Sequence, residues 1–114
     1  MTTYYHGTNG ALELHHGVCF TRDERNASHY GDVHVAEIDL SGLNVERIYF
    51  DQEEARQRYE NNEYPCDNKK EIAKYISAGI DAIVYDDYDM HGNPHVTLRL
   101  LSDKALAAVA VLVD

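Results

Sequence analysis

Val33-His34-Val35-Ala36-Glu37-Ile38-Asp39-Leu40 alternates with period two. Val33, Val35 and Glu37 fall on one face and His34, Ala36, Ile38 and Leu40 on the other, the pattern of a half-buried strand. Towards the N-terminus, Asp23 to Tyr30 carries helix formers with acids in its first turn, and Gly31 suits its C-terminal cap. Before it, Val18-Cys19-Phe20-Thr21 follows Gly17 as a short strand. Thr3 to His6 reads as a first strand ending at Gly7, and Thr8-Asn9-Gly10 has turn chemistry. Towards the C-terminus, Leu43 to Phe50 predicts a short strand and Asp51 to Glu60 a charged helix, interrupted over Asn61 to Pro65. Asp67 to Ala78 predicts an amphipathic helix, with Ile72, Tyr75 and Ile76 on one face and Gly79 ending it. Ile80 to Tyr85 is a β-branched strand, His91 to Pro94 a turn, and Val96 to Leu101 a returning strand. Ala105 to Val113 reads as a strand or a short helix. The sum is an α+β fold with mostly antiparallel strands and two or three helices.

A chain of 114 residues makes a single domain spanning 1–114, and it buries roughly two-thirds of its unfolded surface. Hydrophobic and charged fractions of 44% and 26% are those of a globular protein, not of a disordered chain. The longest apolar run, Ala105 to Val113, is far shorter than the ~20 residues of a spanning helix. The N-terminus lacks the basic and apolar regions of a signal peptide, so the chain reads as cytoplasmic. Cys19 and Cys66 make no disulfide framework and no metal-ligand spacing. Twenty acidic residues against ten basic ones leave a net charge of −10. That balance argues against direct nucleic-acid binding and is suited to steering the chain towards a basic partner.

Three segments carry candidate chemistry. Tyr5-His6-Gly7-Thr8 delivers a histidine from a strand end into a glycine turn, where the imidazole can bond a ligand hydroxyl and the glycine backbone can approach closely. Gly17 to Thr21, followed by Ala27-Ser28-His29-Tyr30-Gly31, presents Tyr30 near a helix end, where its ring can stack on a planar heterocycle. Gly79-Ile80-Asp81-Ala82-Ile83-Val84-Tyr85-Asp86-Asp87-Tyr88-Asp89 runs a strand into carboxylates. On an extended chain Asp87 and Asp89 share a face with Ile83 and Tyr85, while Asp86 faces the other way.

In this order the segments resemble the ADP-ribosyltransferase superfamily. The closer likeness is to its His-Tyr-Glu branch and to very small phage-encoded members, among them an anti-CRISPR that modifies its target with NAD. The resemblance spans Tyr4 to about Leu101, with nothing recognisable in Asp51 to Lys70. It implies two small, mostly antiparallel sheets around an NAD cleft. His6 would bond an NAD ribose hydroxyl. Gly7 and Thr8 would hold the nicotinamide carboxamide, and Tyr30 would stack on the nicotinamide ring. The family's acid supports the sugar as positive charge develops on it. This chain departs from the pattern there. The strand after the target-recognition loop begins at His95-Val96 without a glutamate, and the loop shrinks to Tyr88 to Pro94. Asp87, ahead of Asp89, would substitute from the preceding strand end. The pyrophosphate needs a cation or backbone amides, and Arg22 and Arg25 lie in the right neighbourhood.

The implied function is NAD-dependent mono-ADP-ribosylation of a protein. A phage inhibitor of a basic, nucleic-acid-binding host defence complex, such as a CRISPR effector, suits the charge. Two alternatives use the same scaffold: an inactive acidic protein that blocks a basic partner, and an NAD glycohydrolase. Metal binding through His15-His16 or His91 and His95 fits no ligand spacing, because adjacent histidines on a regular element diverge. Cys19 lies within an apolar strand and reads as a small packing residue rather than a nucleophile.

Overall fold

The alternating segment is a strand, and Ala36 and Ile38 on its selected face are fully buried. The computed structural model describes residues 2–61, 69–88 and 94–111. Among them the chain runs β1 (Thr2–Thr8), β2 (Cys19–Thr21), α1 (Glu24–Ser28), β3 (Asp32–Ile38) and β4 (Val45–Ile48). It continues through α2 (Gln52–Asn61), α3 (Lys69–Ser77), β5 (Ala82–Tyr88), β6 (Pro94–Leu100), α4 (Asp103–Ala107) and β7 (Val109–Val111). Cys66, Asp89, the start of the expected helix at Asp67 and the turn residues 91–93 lie outside the described residues, as does most of the expected interruption at 61–65. No helix among the described residues is long and apolar enough to cross a membrane.

Seven strands form one sheet in the order β4-β5-β6-β2-β1-β3-β7, where two small sheets were expected. The reason is β2, which pairs with β6 over three residues and with β1 at one, Tyr5 opposite Thr21. A single register pair therefore joins the half containing β1, β3 and β7 to the half containing β4, β5 and β6. All pairings are antiparallel except β4 with β5, whose parallel register requires a crossover. Helices α2 and α3 supply it. Four helices stand among the described residues rather than two or three. The ambiguous segment from Ala105 contains both elements. Ser102 accepts the Ala105 N–H as the N-cap of α4, and the chain then straightens into β7 against β3.

Strand β5 is covered on both faces, which accounts for its continuous apolar run from Ala82 to Tyr85. Ala82 and Val84 pack with Tyr4, Val18, Phe20, Ile38, Leu98 and Leu100 in one cluster. Ile83 and Tyr85 pack with Leu101, Ile48, Phe50 and, from α3, Ile72 and Tyr75 in the other. Full burial of side chains such as Phe20, Tyr85 and Leu98 contributes roughly 1.5–3 kcal/mol each. The expected apolar stripe of α3 is thus met by Ile72 and Tyr75, while Ile76 at its edge stays 48% exposed.

Asp81 ties three elements together at the start of β5. Its Oδ2 accepts the Asn44 N–H at 2.8 Å ahead of β4, and its Oδ1 accepts the Ser102 hydroxyl at 2.7 Å at the head of α4. The Asn44 amide first, and the Ser102 hydroxyl second, hold the Asp81 carboxyl below its ordinary value of 3.8. A lowered folded-state value stabilises the fold above the ordinary value and loses that contribution as pH falls through the folded one. Asp81→Asn is therefore expected to lower Tm at pH 7. The gap to wild type should close as pH drops below about 4, in melts followed by circular dichroism from pH 2 to 7.

Candidate functional site

The sheet is narrowest between β1 and β2, and the candidate site opens there. Continuing the register from Tyr5 and Thr21 would set Gly7 opposite Cys19. The Cys19 carbonyl instead accepts the Nδ1–H of His6 at 2.6 Å, so the imidazole takes a place in the ladder. A carbonyl can only accept, which fixes the proton on Nδ1 and leaves the Nε2 lone pair of the neutral ring to meet a ligand hydroxyl. The ring of Phe20, 1% exposed, lies 5.6 Å from that of His6, tilted by 55°.

Helix α1 closes one side. Thr21 Oγ1 accepts the Asp23 N–H at 3.1 Å, and Asp23 caps the helix by accepting from the Arg25 and Asn26 amides. The helix lies so close to β1 that a Cβ on Gly7 would stand 1.7 Å from the Ala27 carbonyl oxygen. Gly7 is thus demanded by the approach of α1. One residue past the C-cap, Tyr30 anchors its N–H on the Ala27 carbonyl at 3.1 Å and leaves its side chain half exposed. Gly31 then turns the chain into β3 at φ +129°, with no room for a side chain against Asn9.

Strands β5 and β6 close the other side. Asp87 sits directly opposite His95. Its Oδ2 accepts the Thr97 hydroxyl at 3.0 Å and its Oδ1 the Tyr88 N–H at 2.7 Å. His95 Nε2 lies 3.8 Å from Oδ2, and the His95 side chain is 7% exposed. Asp86 faces away: Arg47 Nη2 meets its Oδ1 at 2.8 Å, and the Phe50 N–H its Oδ2 at 3.1 Å.

Together these parts enclose a cavity of about 280 Å³. His6, Gly7, Tyr30 and Asp87 line it with Tyr5, Cys19, Phe20, Thr21, Asn26, Ala27, Tyr85, His95 and Thr97. Four residues singled out from the sequence therefore meet at one place. Thr8, Arg22 and Arg25 are not part of its lining. Arg22 lies with its guanidinium 5.9 Å from the centre of the Tyr4 ring, and Arg25 is exposed on α1. Burial pushes the Tyr4 hydroxyl above its ordinary pKa, and Arg22 partly offsets that. Asp89 is outside the described residues. Asp87 and His95 also border a second cavity of about 370 Å³, which reaches Phe50, Gln52, Ala55 and Val96. Among the described residues no three His, Cys, Asp or Glu side chains gather as metal ligands.

Sequence reasoning missed Asn26, Thr97 and the place of His95. Asn26 carries no motif, yet it is 4% exposed with its Nδ2 lacking any hydrogen-bond partner. Thr97 and His95 had one usable signal, the alternation along β6 that sets both on one face, which the pairing makes the face of Tyr85 and Asp87.

Gly7→Ala is expected to push α1 off β1 and cost about 1–3 kcal/mol, the range for overpacking. Urea denaturation followed by far-UV circular dichroism measures the loss, and an unchanged midpoint would contradict the close approach described here.

No family model, curated protein or solved structure matches the chain.

Proposed function

We propose that this chain is an NAD-dependent mono-ADP-ribosyltransferase that modifies a protein, on an ADP-ribosyltransferase-like fold working in the cytoplasm. The observation that carries the reading is the convergence of His6, Tyr30 and Asp87 on one cavity. They come from three separate stretches of the chain, and each stands in a segment whose sequence carries candidate chemistry. The near-separation of the sheet at Tyr5 and Thr21 supports the same fold.

The cavity suits the nicotinamide-ribose half of NAD. Its volume of about 280 Å³ falls just below the roughly 300–1,000 Å³ typical of pockets for whole drug-sized ligands, in keeping with a site for part of a dinucleotide. Its wall carries a buried amide without a partner. NAD supplies an ADP-ribosyl group joined to a nicotinamide leaving group. His6 accepts a ribose hydroxyl at Nε2, and Tyr30 offers its ring as a stacking face. Asp87 faces the sugar, and its carboxylate stabilises the positive charge that develops there, a contribution of about 10²–10³ in rate. The missing glutamate is answered by β5, which stays extended through Tyr88 and so carries the shorter aspartate to the cavity wall. The second cavity gives an acceptor side chain its own approach to Asp87. Arg22 and Arg25 remain the proposed contacts of the pyrophosphate or adenosine ribose, beyond the cavity itself. A net charge of −10 supports a basic protein partner, such as a host nucleic-acid-binding defence complex of the CRISPR effector kind.

Purified protein incubated with labelled NAD and bacterial lysate is expected to label a discrete protein band. Tyr30→Ala, His6→Ala and Asp87→Asn should each reduce labelling by 10²-fold or more, while circular dichroism still reports a folded chain. Consumption of NAD without a labelled protein would make the chain a glycohydrolase. Neither label nor consumption would favour the acidic blocking protein and sink the transferase.

A further inference from the structure

Asn26 is the residue of the cavity with an unmet bond. It lies on α1 against β1, 4% exposed, and its side-chain Nδ2 is buried without a hydrogen-bond partner. A buried polar group in that state is rare, because the amide loses its water and gains nothing in return. An apolar residue would serve packing better at this position. Its neighbour Asp23 already caps the helix through the Asn26 backbone N–H, so the side chain is not needed for capping. Asn26 lines the cavity beside Tyr5, Phe20, Tyr30 and Tyr85, apolar and aromatic faces that suit a flat ring.

We propose that Asn26 recognises the ligand by its amide group, donating from Nδ2 to a carbonyl oxygen carried on a planar heteroaromatic ring. This deepens the reading above and rests on it: in NAD the group of that description is the nicotinamide carboxamide. Gly7 and Thr8 were the expected holders of that carboxamide, and the structure weakens both. Gly7 spends its close approach on the Ala27 carbonyl and stands opposite Val33 in the β1–β3 register. Thr8 is outside the cavity lining. Asn26 takes the role by chemistry, since a side-chain amide offers a donor and an acceptor to a carboxamide at once. An aromatic ring bearing a carboxylate instead would bring a negative charge towards Asp87, so the site favours the amide over the acid.

The decisive experiment compares wild type, Asn26→Leu and Asn26→Ala in two measurements, ligand-free Tm and affinity for nicotinamide and NAD by calorimetry. Both substitutions remove the unpaired amide, and the alanine variant guards against a leucine that does not fit. The expected result is a ligand-free Tm equal to or above that of wild type, with both ligands bound about tenfold more weakly. Nicotinate should bind wild type more weakly than nicotinamide. Variants that bind nicotinamide as well as wild type does would overturn the assignment while leaving the transferase reading intact. Variants that lose ligand-free stability would overturn it too, by showing that the amide serves the fold. A wild type that binds neither nicotinamide nor NAD would overturn this assignment and the transferase reading together.

Discussion

The bond from the His6 Nδ1–H to the Cys19 carbonyl is the constraint on which the rest depends. The first core cluster draws on β1, β2, β3, β5 and β6, so the sheet must hold together across its middle. A cavity between β1 and β2 needs the opposite, strands that part. One ladder pair and one imidazole satisfy both demands. Had the ladder continued, Gly7 and Cys19 would have exchanged backbone bonds and the cavity would have closed. Had the strands parted without the imidazole, a part-buried carbonyl would stand unpaired at a cost of about 1–3 kcal/mol. The same bond fixes the tautomer, so holding the sheet and preparing Nε2 to accept are one act.

Helix α1 shows the same economy. Five residues are too few to hold a helix by propensity alone. What holds it is Asp23 at its start, itself bonded to Thr21, and the contact of Ala27 with Gly7 at its end. Tyr30 leaves that contact at once, so the position of the exposed ring follows from the absence of a side chain on Gly7. Glycine at position 7 and the aromatic at position 30 are therefore coupled through the Ala27 carbonyl. Their joint presence in the sequence has a structural cause whether or not a ligand binds.

Much of the fold was legible because the deciding patterns are local. The alternation of Val33 to Leu40, the stripe of Ile72 and Tyr75 and the β-branched run after Gly79 each reflect burial that a short window encodes. Ala105 to Val113 was ambiguous for a physical reason: the stretch holds the end of a helix and a strand, and Ser102, which starts the helix by capping it, lies just upstream. The joining of two sheets into one rests on a single distant pair, Tyr5 with Thr21, and local periodicity carries no trace of it. In the site, Tyr30 and Asp87 stood out near the ends of a helix and a strand, and His6 stood out before a glycine read as a turn, although β1 runs on through Gly7 to Thr8 because both pair with β3. Asn26 did not, since its meaning comes from a missing partner, which only three-dimensional packing reveals. Arg22 was placed by sequence adjacency, but its guanidinium lies near the Tyr4 ring rather than in the cavity wall.

Asp86 and Asp87 put the logic of the site into two adjacent residues. Strand geometry turns them to opposite faces, and their surroundings differ in kind. Asp86 meets the Arg47 guanidinium at 2.8 Å, so its charge is balanced and spent on fixing β4 to β5. Asp87 is held in place by neutral donors, the Thr97 hydroxyl and the Tyr88 N–H, with His95 at 3.8 Å a cation only when protonated. Neutral donors orient a carboxylate without cancelling it. Its net negative charge is left facing a cavity whose other walls are aromatic, apolar or neutral, where a positive charge forming on a ligand is stabilised most. In a chain with twice as many acids as bases, the sequence alone does not say which carboxylate is free to act. The pairing of Asp86 with Arg47 leaves Asp87 as the carboxylate of the two that faces the cavity beside His6.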